Sequence, residues 1–438
     1  MSMTLPYAVA VLGVPFHSVT IDEAVDFIED KIDEGGFHQI ATANVDFLMN
    51  SLRDKTLQEI LFSCDLVVPD GMPVLWAARL LGGSLKERVC GVDLVPQLAG
   101  LCVRRHFSMF LLGASDKVSV RAAENLKQRF PGLRIAGRYS PPVQPLEKMN
   151  HEEILDRIAQ AKPDILLVAF GNPKQEKWLA MHRNRLNVPV CIGVGGSLDF
   201  VAGAVPRAPK WMQSTGLEWA YRIAQEPKRL AQRYLHDAIG LAMHIPSQFI
   251  ATAMQPRHKT KSGIFMDHTD NTSVISIYGD FTGDLVPEFQ SLSGAAIANG
   301  MNLVLNLSQT TFMGADSLGS LIQVASAMRQ SHQQLWLAEM RPHLLRMLQS
   351  AHLNKHFMTT TSVDDALYRT AKAEQKFLTR PIGIQGASRM ASNTVQVRLE
   401  LLQDICQKIT VNPPTMQHDE YSGAPTSGQS YAFHTSLS

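Results

Sequence analysis

Polar side chains follow two short apolar segments near the start of the chain, where they can act on a shared ligand. Thr42 and Asn44 come at the end of the first segment, and Asp70 comes directly after the second. Parallel strands of an open α/β sheet end at the same edge, and ligands bind beyond that edge. We therefore expect these side chains to meet in one pocket, with Asp70 as a candidate catalytic residue. The alternative is that the Pro-Asp-Gly sequence around Asp70 is only a turn.

Two further polar residues are candidates for substrate binding. Gln175 comes at the start of a helix that follows residues 164–170, the most apolar segment predicted as a strand. There it can hydrogen-bond a ligand, or it can simply face water. Arg88 can bind a phosphate group, or it can pair with its neighbours Glu87 and Asp93. The residue types alone leave both alternatives open.

Three glycine-bearing turns follow predicted strands, at Gly113, at Gly171 and at Gly195-Gly196. Such turns expose backbone amides at the start of a helix, which suits a diphosphate group. None of them has the GxGxxG pattern with an acidic residue about 20 positions later, so an NAD-dependent oxidoreductase is not favoured. A nucleotide diphosphate that binds without this pattern stays open.

The elements that position these residues alternate between strands and helices. A first strand is predicted over residues 8–13, and the next helix opens with a capping box formed by Thr20 and Glu23. The alternation continues to a strand over residues 190–193. This order predicts an α/β fold with a Rossmann-like, mostly parallel, doubly wound sheet.

Length and composition narrow the class of protein. A chain of 438 residues is long enough for two domains, and its net charge of +1 argues against bulk binding of nucleic acid. The five cysteines are scattered without CxxC spacing, so we predict neither disulfides nor a zinc site. The N-terminus lacks the pattern of a signal peptide, and no apolar segment reaches the roughly 18 residues that would cross a bilayer. These features predict a cytoplasmic protein, either free or peripheral on the inner face of the cell membrane.

Positive charge is concentrated after the predicted sheet. Between residues 205 and 261 there are nine Lys and Arg residues and three acidic residues, which gives this segment a charge of +6, whereas the whole chain has +1. Trp and Tyr residues are interspersed among them, a composition that favours a membrane–water interface. We therefore predict that the segment contacts a membrane surface. The alternative is a pair of solvated basic helices.

Residues 7–250 resemble the WecG/TagA/CpsF family of bacterial glycosyltransferases. The resemblance rests on seven motifs in order, namely Thr42-Ala-Asn44, Pro69-Asp70-Gly71, Arg88-Val-Cys-Gly-Val-Asp93-Leu, Gly171-Asn-Pro-Lys-Gln175-Glu176-Lys-Trp178, Gly193-Val-Gly195-Gly196-Ser-Leu-Asp199, Arg207-Ala-Pro209-Lys-Trp211, and Gly216-Leu-Glu218-Trp219-Ala-Tyr-Arg222 followed by Glu226-Pro-Lys-Arg229-Leu-Ala-Gln-Arg233. The resemblance implies an inverting, metal-independent transfer of an N-acetylmannosamine-type or related sugar. The implied donor is a UDP-sugar and the implied acceptor is a polyprenyl-diphosphate-linked sugar, in the synthesis of cell-surface polysaccharides such as capsules or exopolysaccharides.

The resemblance also implies roles for individual residues. Asp70, Thr42 and Asn44 are the catalytic candidates, and the substrate-binding candidates are Arg88, Gln175, Gly171, Gly195, Gly196, Arg222, Arg229 and Arg233. The segment after residue 204 is implied to close over the active site, with its arginines on the diphosphate. Neither a DxD pair nor metal-ligand spacing is present in the sequence. We therefore expect no metal and no cofactor besides the donor.

A second α/β pattern begins after a polar, basic linker. Residues 269–375 resemble a STAS domain, the fold of anti-sigma-factor antagonists and of sulphate-transporter tails, through the motif from Leu305 to Leu321. In antagonists a partner kinase phosphorylates a serine at the start of a helix, and here Asp316 occupies that switch position, with Ser317 after it. An acidic residue there favours a fixed helix cap or a permanent mimic of the phosphorylated form. We interpret the domain as a protein- or nucleotide-binding module, with structural support alone as the alternative.

The predicted organisation has five parts: a core at 1–204, a basic helical appendage at 205–253, a linker at 254–268, a STAS-like domain at 269–375 and a tail with little order at 376–438. The leading interpretation is a glycosyltransferase at the membrane surface, fused to a STAS module. The sequence leaves open a protein partner of that module and a homo-oligomer. Two alternatives remain: an inactive transferase that serves as a STAS-based interaction or signalling scaffold, and an NAD-linked oxidoreductase.

Overall fold

The segment predicted as the first strand of the sheet forms a separate β-hairpin. Its strands, β1 (Ala8–Val11) and β2 (Val14–His17), are antiparallel and make a two-stranded sheet of their own. The turn between them holds Leu12 and Gly13 at positive φ, +47° and +82°. The prediction of a single strand is wrong here. When both strands of a hairpin are buried, they read as one continuous apolar segment in the sequence, and the turn between them is not apparent.

The computed structural model describes residues 6–257, 261–269 and 271–378, with the backbone alone at positions 214, 229 and 373–378. The chain divides into the units Met1–Glu374 and Gln375–Ser438, and the strands of the described residues all belong to the first unit. Most of the tail predicted at 376–438 lies outside the described residues.

Six parallel strands form the sheet at the centre of the N-terminal part. In chain order they are β3 (His38–Ala43), β4 (Leu66–Pro69), β5 (Ser108–Gly113), β6 (Arg134–Tyr139), β7 (Ile165–Ala169) and β8 (Val190–Gly193). Their order across the sheet is β4-β3-β8-β7-β5-β6, and each neighbouring pair is parallel. Apart from the partly exposed edge strand β6, the strands are almost entirely buried, as a parallel sheet with two covered faces requires. The predicted mostly parallel, doubly wound sheet is confirmed.

Helices cover both faces of this sheet. They are α1 (Ile21–Glu34), α2 (Val45–Arg53), α3 (Lys55–Ser63), α4 (Met72–Leu80), α5 (Gly91–Arg105), α6 (Asp116–Arg129), α7 (His151–Ala161), α8 (Lys174–His182) and α9 (Ser197–Val201). Val68 of β4 packs in one apolar cluster with α1, α5 and α6, whereas Val67 packs in another with α2, α3 and α4. The predicted capping box is present at the start of α1, where Thr20 and Glu23 satisfy each other's backbone amides.

Three helices make up the appendage: α10 (Lys210–Ser214), α11 (Glu218–Gln225) and α12 (Pro227–Ala253). With 27 residues, α12 is roughly 40 Å long. One side of it packs against the N-terminal part and is buried at Leu230, Ile245 and Gln248. No helix within residues 6–378 that the structure describes is long and apolar enough to span a membrane.

A five-stranded sheet of order β13-β12-β11-β10-β9 forms the STAS-like part. Its elements are β9 (Gly263–Thr269), β10 (Thr272–Phe281), α13 (Val286–Ala298), β11 (Asn302–Met313), α14 (Ala315–Gln330), β12 (Leu335–Ala338), α15 (Pro342–Ser350), β13 (Met358–Thr360) and α16 (Val363–Leu378). Strand β9 pairs antiparallel with β10 and lies mostly within the segment predicted as the linker. Four of its seven residues are exposed, as is common in an edge strand, so only its pairing with β10 reveals it.

The STAS-like part packs directly against the N-terminal part. Helix α14 lies against the hairpin strands β1 and β2, and α15 lies against α12. Ala10 of β1 and Phe62 of α3 belong to the apolar cluster of the STAS-like sheet, and Ala315 of α14 belongs to the cluster around α2, α3 and α4. The two parts therefore share apolar core.

Candidate active site

The ends of β3 and β4 bring the three catalytic candidates to one edge of the sheet. The two strands stay in parallel register to their last residues, so Asn44 and Asp70 come next on neighbouring strands. The Asp70 amide donates to the Ala43 carbonyl oxygen at 2.9 Å. Thr42 is buried, and its hydroxyl donates to the carbonyl oxygen of Gly193, the last residue of β8, at 3.0 Å. The catalytic roles of these residues stay predictions.

Asn44 and Asp70 both lie where a strand ends and the next helix begins. Asn44 is the N-cap of α2, and its side-chain oxygen accepts a hydrogen bond from the Phe47 amide at 3.4 Å. This cap uses the oxygen only, so the side-chain nitrogen can donate to a ligand. After Asp70, Gly71 has a φ of +142°, which favours glycine, and α4 begins at the next residue. The Pro-Asp-Gly sequence is therefore a turn, and this turn places Asp70 at the carboxyl end of β4.

Asp70 has the acidity of a base that works near neutral pH. Burial of its carboxyl group raises the pKa to about 6, and the charges of Glu218 and Asp93 act in the same direction. The guanidinium groups of Arg88 and Arg222 oppose this shift. The residue as a whole is half-buried. A carboxylate of this pKa is ionised at pH 7 and can still accept a proton in a transition state.

An ion cluster beside Asp70 joins the sheet to the appendage. Arg88 donates from Nη1 to Glu218 Oε2 at 2.6 Å, and its Nη2 lies 3.7 Å from Asp93 Oδ2. Arg207 donates from Nη2 to Asp93 Oδ2 at 2.7 Å, and its Nε lies 3.5 Å from Glu218 Oε1. The closest partner of Arg88 is thus Glu218 on α11. The sequence had suggested Glu87 or Asp93.

Sequence reasoning gave no role to Arg207 or Glu218, although both lie in motifs of the family resemblance. Their proximity to Arg88 depends on a fold that brings α11 back over the sheet, since Arg88 and Glu218 are 130 positions apart. The motifs could therefore have pointed to both residues, but the sequence could not show which residues pair with them. Glu87 lies elsewhere in the structure and accepts a hydrogen bond from the Ile21 amide.

The appendage arginines differ in where they lie. Arg222 lies over the ring of Phe200, 5.2 Å from its centroid, and its charge acts on Asp70. Arg233 is exposed and lies over the ring of Tyr234, and its charge acts on Asp46 at the start of α2. The side chain of Arg229 lies outside the described residues. The predicted contacts of all three arginines with a diphosphate stay predictions.

Gln175 connects the two glycine turns. It is only 2% exposed, and its side-chain oxygen accepts hydrogen bonds from the backbone amides of Gly171 and Gly195, both at 3.1 Å. Its side-chain nitrogen donates to Glu176 Oε1 at 2.7 Å. In this arrangement Gln175 holds the turn at Gly171 and the turn at Gly195 together. A direct contact with a donor sugar stays a prediction.

Glu176 is a buried carboxyl group that sequence reasoning missed. Burial raises its pKa to about 7, while hydrogen bonds from Gln175 and Asn172 favour its charged form. Asn172 in turn accepts from the Asn50 side chain at 2.7 Å. This chain of contacts links α8 and the turn after β7 to α2.

The glycine turns are not alike. A Cβ atom at Gly171 would meet nothing within 4 Å, so this turn borders open space, whereas a Cβ atom at Gly196 would lie 3.5 Å from Asp199 Oδ2. A Cβ atom at Gly113 would come within 2.8 Å of the Ala169 carbonyl oxygen. Gly113 therefore allows β5 and β7 to pack closely. Binding of a diphosphate at the other two turns stays a prediction.

Within the part of the chain that the structure describes, no group of three or more His, Cys, Asp or Glu side chains is arranged to hold a metal ion. The expectation that the reaction needs no metal stays a prediction.

Comparison with known proteins identifies the family. Residues 9–255 match the glycosyl transferase WecG/TagA/CpsF family. The chain belongs to this family. Residues 264–360 match the Mlab, STAS domain family, so the glycosyltransferase is fused to a STAS domain, as the sequence predicted.

Curated relatives of this glycosyltransferase are bacterial. An N-acetylglucosaminyldiphosphoundecaprenol N-acetyl-beta-D-mannosaminyltransferase of Bacillus subtilis (strain 168) is 31% identical over 218 residues, which are 50% of this chain and 83% of the relative. The protein of the same name from Staphylococcus aureus (strain MW2) is 31% identical over 226 residues, 51% of this chain and 87% of the relative. The crystal structure of an anti-sigma factor antagonist from Mycobacterium paratuberculosis is 22% identical and covers 26% of this chain and 99% of its own, with a TM-score of 0.25.

The predicted switch position of the STAS domain, Asp316, is buried in this glycosyltransferase. Asp316 is 8% exposed, accepts from the Ser317 amide at 2.9 Å, and is hydrogen-bonded by the hydroxyl group of Tyr7. The N-cap of α14 is Gly314, so the carboxylate acts from within the first turn and not as the cap itself. Ser317 is fully buried and donates to the Phe281 carbonyl oxygen at 2.5 Å. A kinase has no access to this hydroxyl group in the described conformation.

Proposed function

We propose that this glycosyltransferase moves an N-acetylmannosamine-type sugar, with inversion, from a UDP donor to a polyprenyl-diphosphate-linked sugar during synthesis of a cell-surface polysaccharide. The names of the two relatives support the acceptor and the sugar. The observation that carries the proposal is the Asp70 carboxyl group, with a pKa of about 6, at the sheet edge between Arg88 and Arg222.

The reaction is a single displacement. Ionised Asp70 takes the proton of the acceptor hydroxyl group while that oxygen forms a bond to the anomeric carbon, and the bond from this carbon to the diphosphate oxygen breaks with its electron pair. Thr42 and Asn44 orient sugar hydroxyl groups. Arg222 and the turn at Gly195-Gly196 stabilise the departing UDP, which makes a metal ion unnecessary.

The test is a panel of UDP-sugars incubated with a lipid-linked N-acetylglucosamine acceptor, with chelator present. We expect UDP-N-acetylmannosamine to be consumed and UDP released only when the acceptor is present. Asp70→Asn keeps the shape of the side chain and removes the base, so kcat should fall by a factor of about 10² to 10⁴ with UDP affinity nearly unchanged. Wild-type activity in this variant would refute the assignment of Asp70. No turnover of any UDP-sugar by the wild type would refute the proposed function.

The exposed side of α12 supports binding to a membrane surface. Five large apolar side chains share one face of this helix and are exposed to solvent: Leu235, Ile239, Met243, Ile250 and Met254. The sequence nearby is basic, and an apolar face with basic surroundings is typical of helices that lie in the interface of anionic membranes. We include this contact in the proposal because the acceptor carries a polyprenyl chain.

The membrane contact is tested by flotation with phosphatidylglycerol-containing vesicles. The double variant Ile239→Glu, Met243→Glu should lower the vesicle-bound fraction at least tenfold, since acidic side chains are costly in that interface. Phe265→Glu makes the same kind of change at an exposed residue of β9 and should leave binding intact. Equal binding of the double variant and the wild type would exclude this face as the membrane contact.

A further inference from the structure

The hairpin β1–β2 is held between the STAS domain and the appendage. On the STAS side, the backbone of α14 comes so close to β1 that a Cβ atom at Gly319 would overlap with the Ala8 carbonyl group. Gln323 of the same helix donates to the Pro6 carbonyl oxygen at 2.8 Å. The hairpin is thus fitted to the backbone of α14 and cannot shift along it without loss of these contacts.

On the other side, α12 satisfies the backbone of the hairpin turn through one fully buried side chain. The side-chain oxygen of Gln248 accepts from the Leu12 amide at 2.9 Å, and its nitrogen donates to the Ala10 carbonyl oxygen at 3.3 Å. Buried backbone groups that lose such partners are costly. Gln248 therefore fixes where α12 crosses the hairpin.

A second glutamine joins α12 to the STAS domain itself. Gln255 follows the end of α12 by two residues, and it accepts from the Met313 amide at 2.9 Å and donates to the Met313 carbonyl oxygen at 3.0 Å. Met313 ends β11, directly before α14. Thr252, between the two glutamines, contacts the sulfur of Met347 on α15 at 3.3 Å.

The middle of α12 packs on α2, a helix that begins beside the candidate active site. Gly240 packs so closely on Met49 of α2 that a side chain there would overlap with the methionine sulfur, and Asn44 is the N-cap of that same α2. Helix α11, which packs on α12 and directly precedes it, carries Glu218 and Arg222. A change in the position of α12 is therefore passed to the residues around Asp70.

We propose that the STAS domain is an intramolecular brace for the transferase, and that Gln248 and Gln255 are positioning residues which hold α12 and α11 over Asp70. The hairpin strands β1 and β2 of the same chain pack on α14 and cover part of its surface. The effect of the STAS brace on sugar transfer rests on the proposed function.

The test uses the full chain with Gln248→Met and Gln255→Met, which keep side-chain volume and remove the hydrogen bonds. We expect KM for the UDP-sugar to rise about tenfold, the size expected for the loss of one buried hydrogen-bonded pair, with kcat at saturating donor near the wild-type value. Gln232→Met makes the same change at an exposed position of α12 and should leave KM unchanged. A lower kcat with unchanged KM would mean only a smaller folded fraction and would overturn the proposal.

A second measurement does not depend on activity. Hydrogen exchange of residues 215–245 should be faster in both variants than in the wild type and in Gln232→Met, because α12 loses its anchor. If exchange is unchanged, the brace is refuted even when the enzyme is active. If exchange is faster and the wild type transfers no sugar, the brace stands and the proposed function fails.

Discussion

The acidity of Asp70 depends on its neighbours at the level of single side chains. Burial has the largest effect and raises the pKa to about 6, while Arg88 and Arg222 favour the charged form. A solvated aspartate in a turn keeps a pKa of about 4 and is a poor base at neutral pH. The same Pro-Asp-Gly sequence therefore becomes a candidate base only where the fold desolvates it.

The rate of transfer should follow the ionisation of Asp70. A base must be ionised to act, so kcat/KM should rise about tenfold per pH unit below pH 6 and level off above it. A pH–rate profile with the donor and acceptor below saturation measures this. An acidic limb centred near pH 4 would show that the carboxyl group is solvated, in disagreement with the structure.

Stability should respond to Asp70 in the opposite sense. Because the folded pKa of about 6 is above the unfolded value, the folded protein binds more protons than the unfolded chain between about pH 4 and pH 6. The free energy of unfolding therefore falls as pH rises through this window. Asp70→Asn removes the cost of ionising a buried carboxyl group. The free energy of unfolding should therefore rise by about 1–3 kcal/mol at pH 7, with little change at pH 3. Thermal denaturation of both proteins at the two pH values measures the difference, and an equal effect at both would contradict the raised pKa.

We expect Gln175 to affect donor binding through the two turns that it connects. Gln175→Met keeps the volume and removes the acceptor of two backbone amides, those of Gly171 and Gly195. We expect UDP affinity to fall at least tenfold, since these turns are the proposed diphosphate site. Isothermal titration with UDP measures this, and Gln128→Met on the exposed side of α6 is the control. Unchanged affinity would separate Gln175 from donor binding.

Among the elements, α11 is joined by a short ion pair to the loop between α4 and α5. Glu218 accepts from Arg88 at 2.6 Å, and its charge raises the pKa of Asp70. A diphosphate that binds near Arg88 competes with this carboxylate for the same guanidinium group. The appendage can therefore respond to the substrate through Glu218.

Glu218→Gln should shift the acidic limb of the pH–rate profile to lower pH. The change removes a negative charge near Asp70 and leaves Arg88 with less compensation, and both effects favour ionised Asp70. We expect a shift of about 0.5 to 1 pH unit. Glu124→Gln, at an exposed position of α6, should leave the profile in place. A shift to higher pH would mean that Arg88 turns away from Asp70 once its partner is lost.

At the scale of the whole molecule, two glycines with opposite surroundings test how the domains pack. Gly319 faces the backbone of β1, whereas a Cβ atom at Gly294 in α13 would meet nothing within 4 Å. Gly319→Ala should lower the free energy of unfolding by about 1–3 kcal/mol through overlap. Gly294→Ala should raise it by about 0.5–1 kcal/mol, because alanine favours the helix. Chemical denaturation of both variants measures this, and stabilisation by Gly319→Ala would contradict the close packing of α14 on the hairpin.

Local patterns in the sequence determined much of this protein. Apolar periodicity and turn residues predicted the alternating strands and helices, the capping box of Thr20 and Glu23, and the doubly wound sheet. They also placed Thr42, Asn44 and Asp70 at strand ends. Parallel strands end at a common edge, so this placement followed from the topology alone. The STAS domain was predicted from its motif in the same way.

Only the tertiary structure decided which distant residues meet. The pairing of Arg88 with Glu218 spans 130 positions and that of Gln248 with Leu12 spans 236, and no local pattern encodes either. The hairpin, the edge strand β9 and the acidity of Asp70 belong to the same class. Each depends on what covers or pairs with a segment once the chain has folded, since burial and hydrogen-bond partners are properties of packed elements and not of residue types.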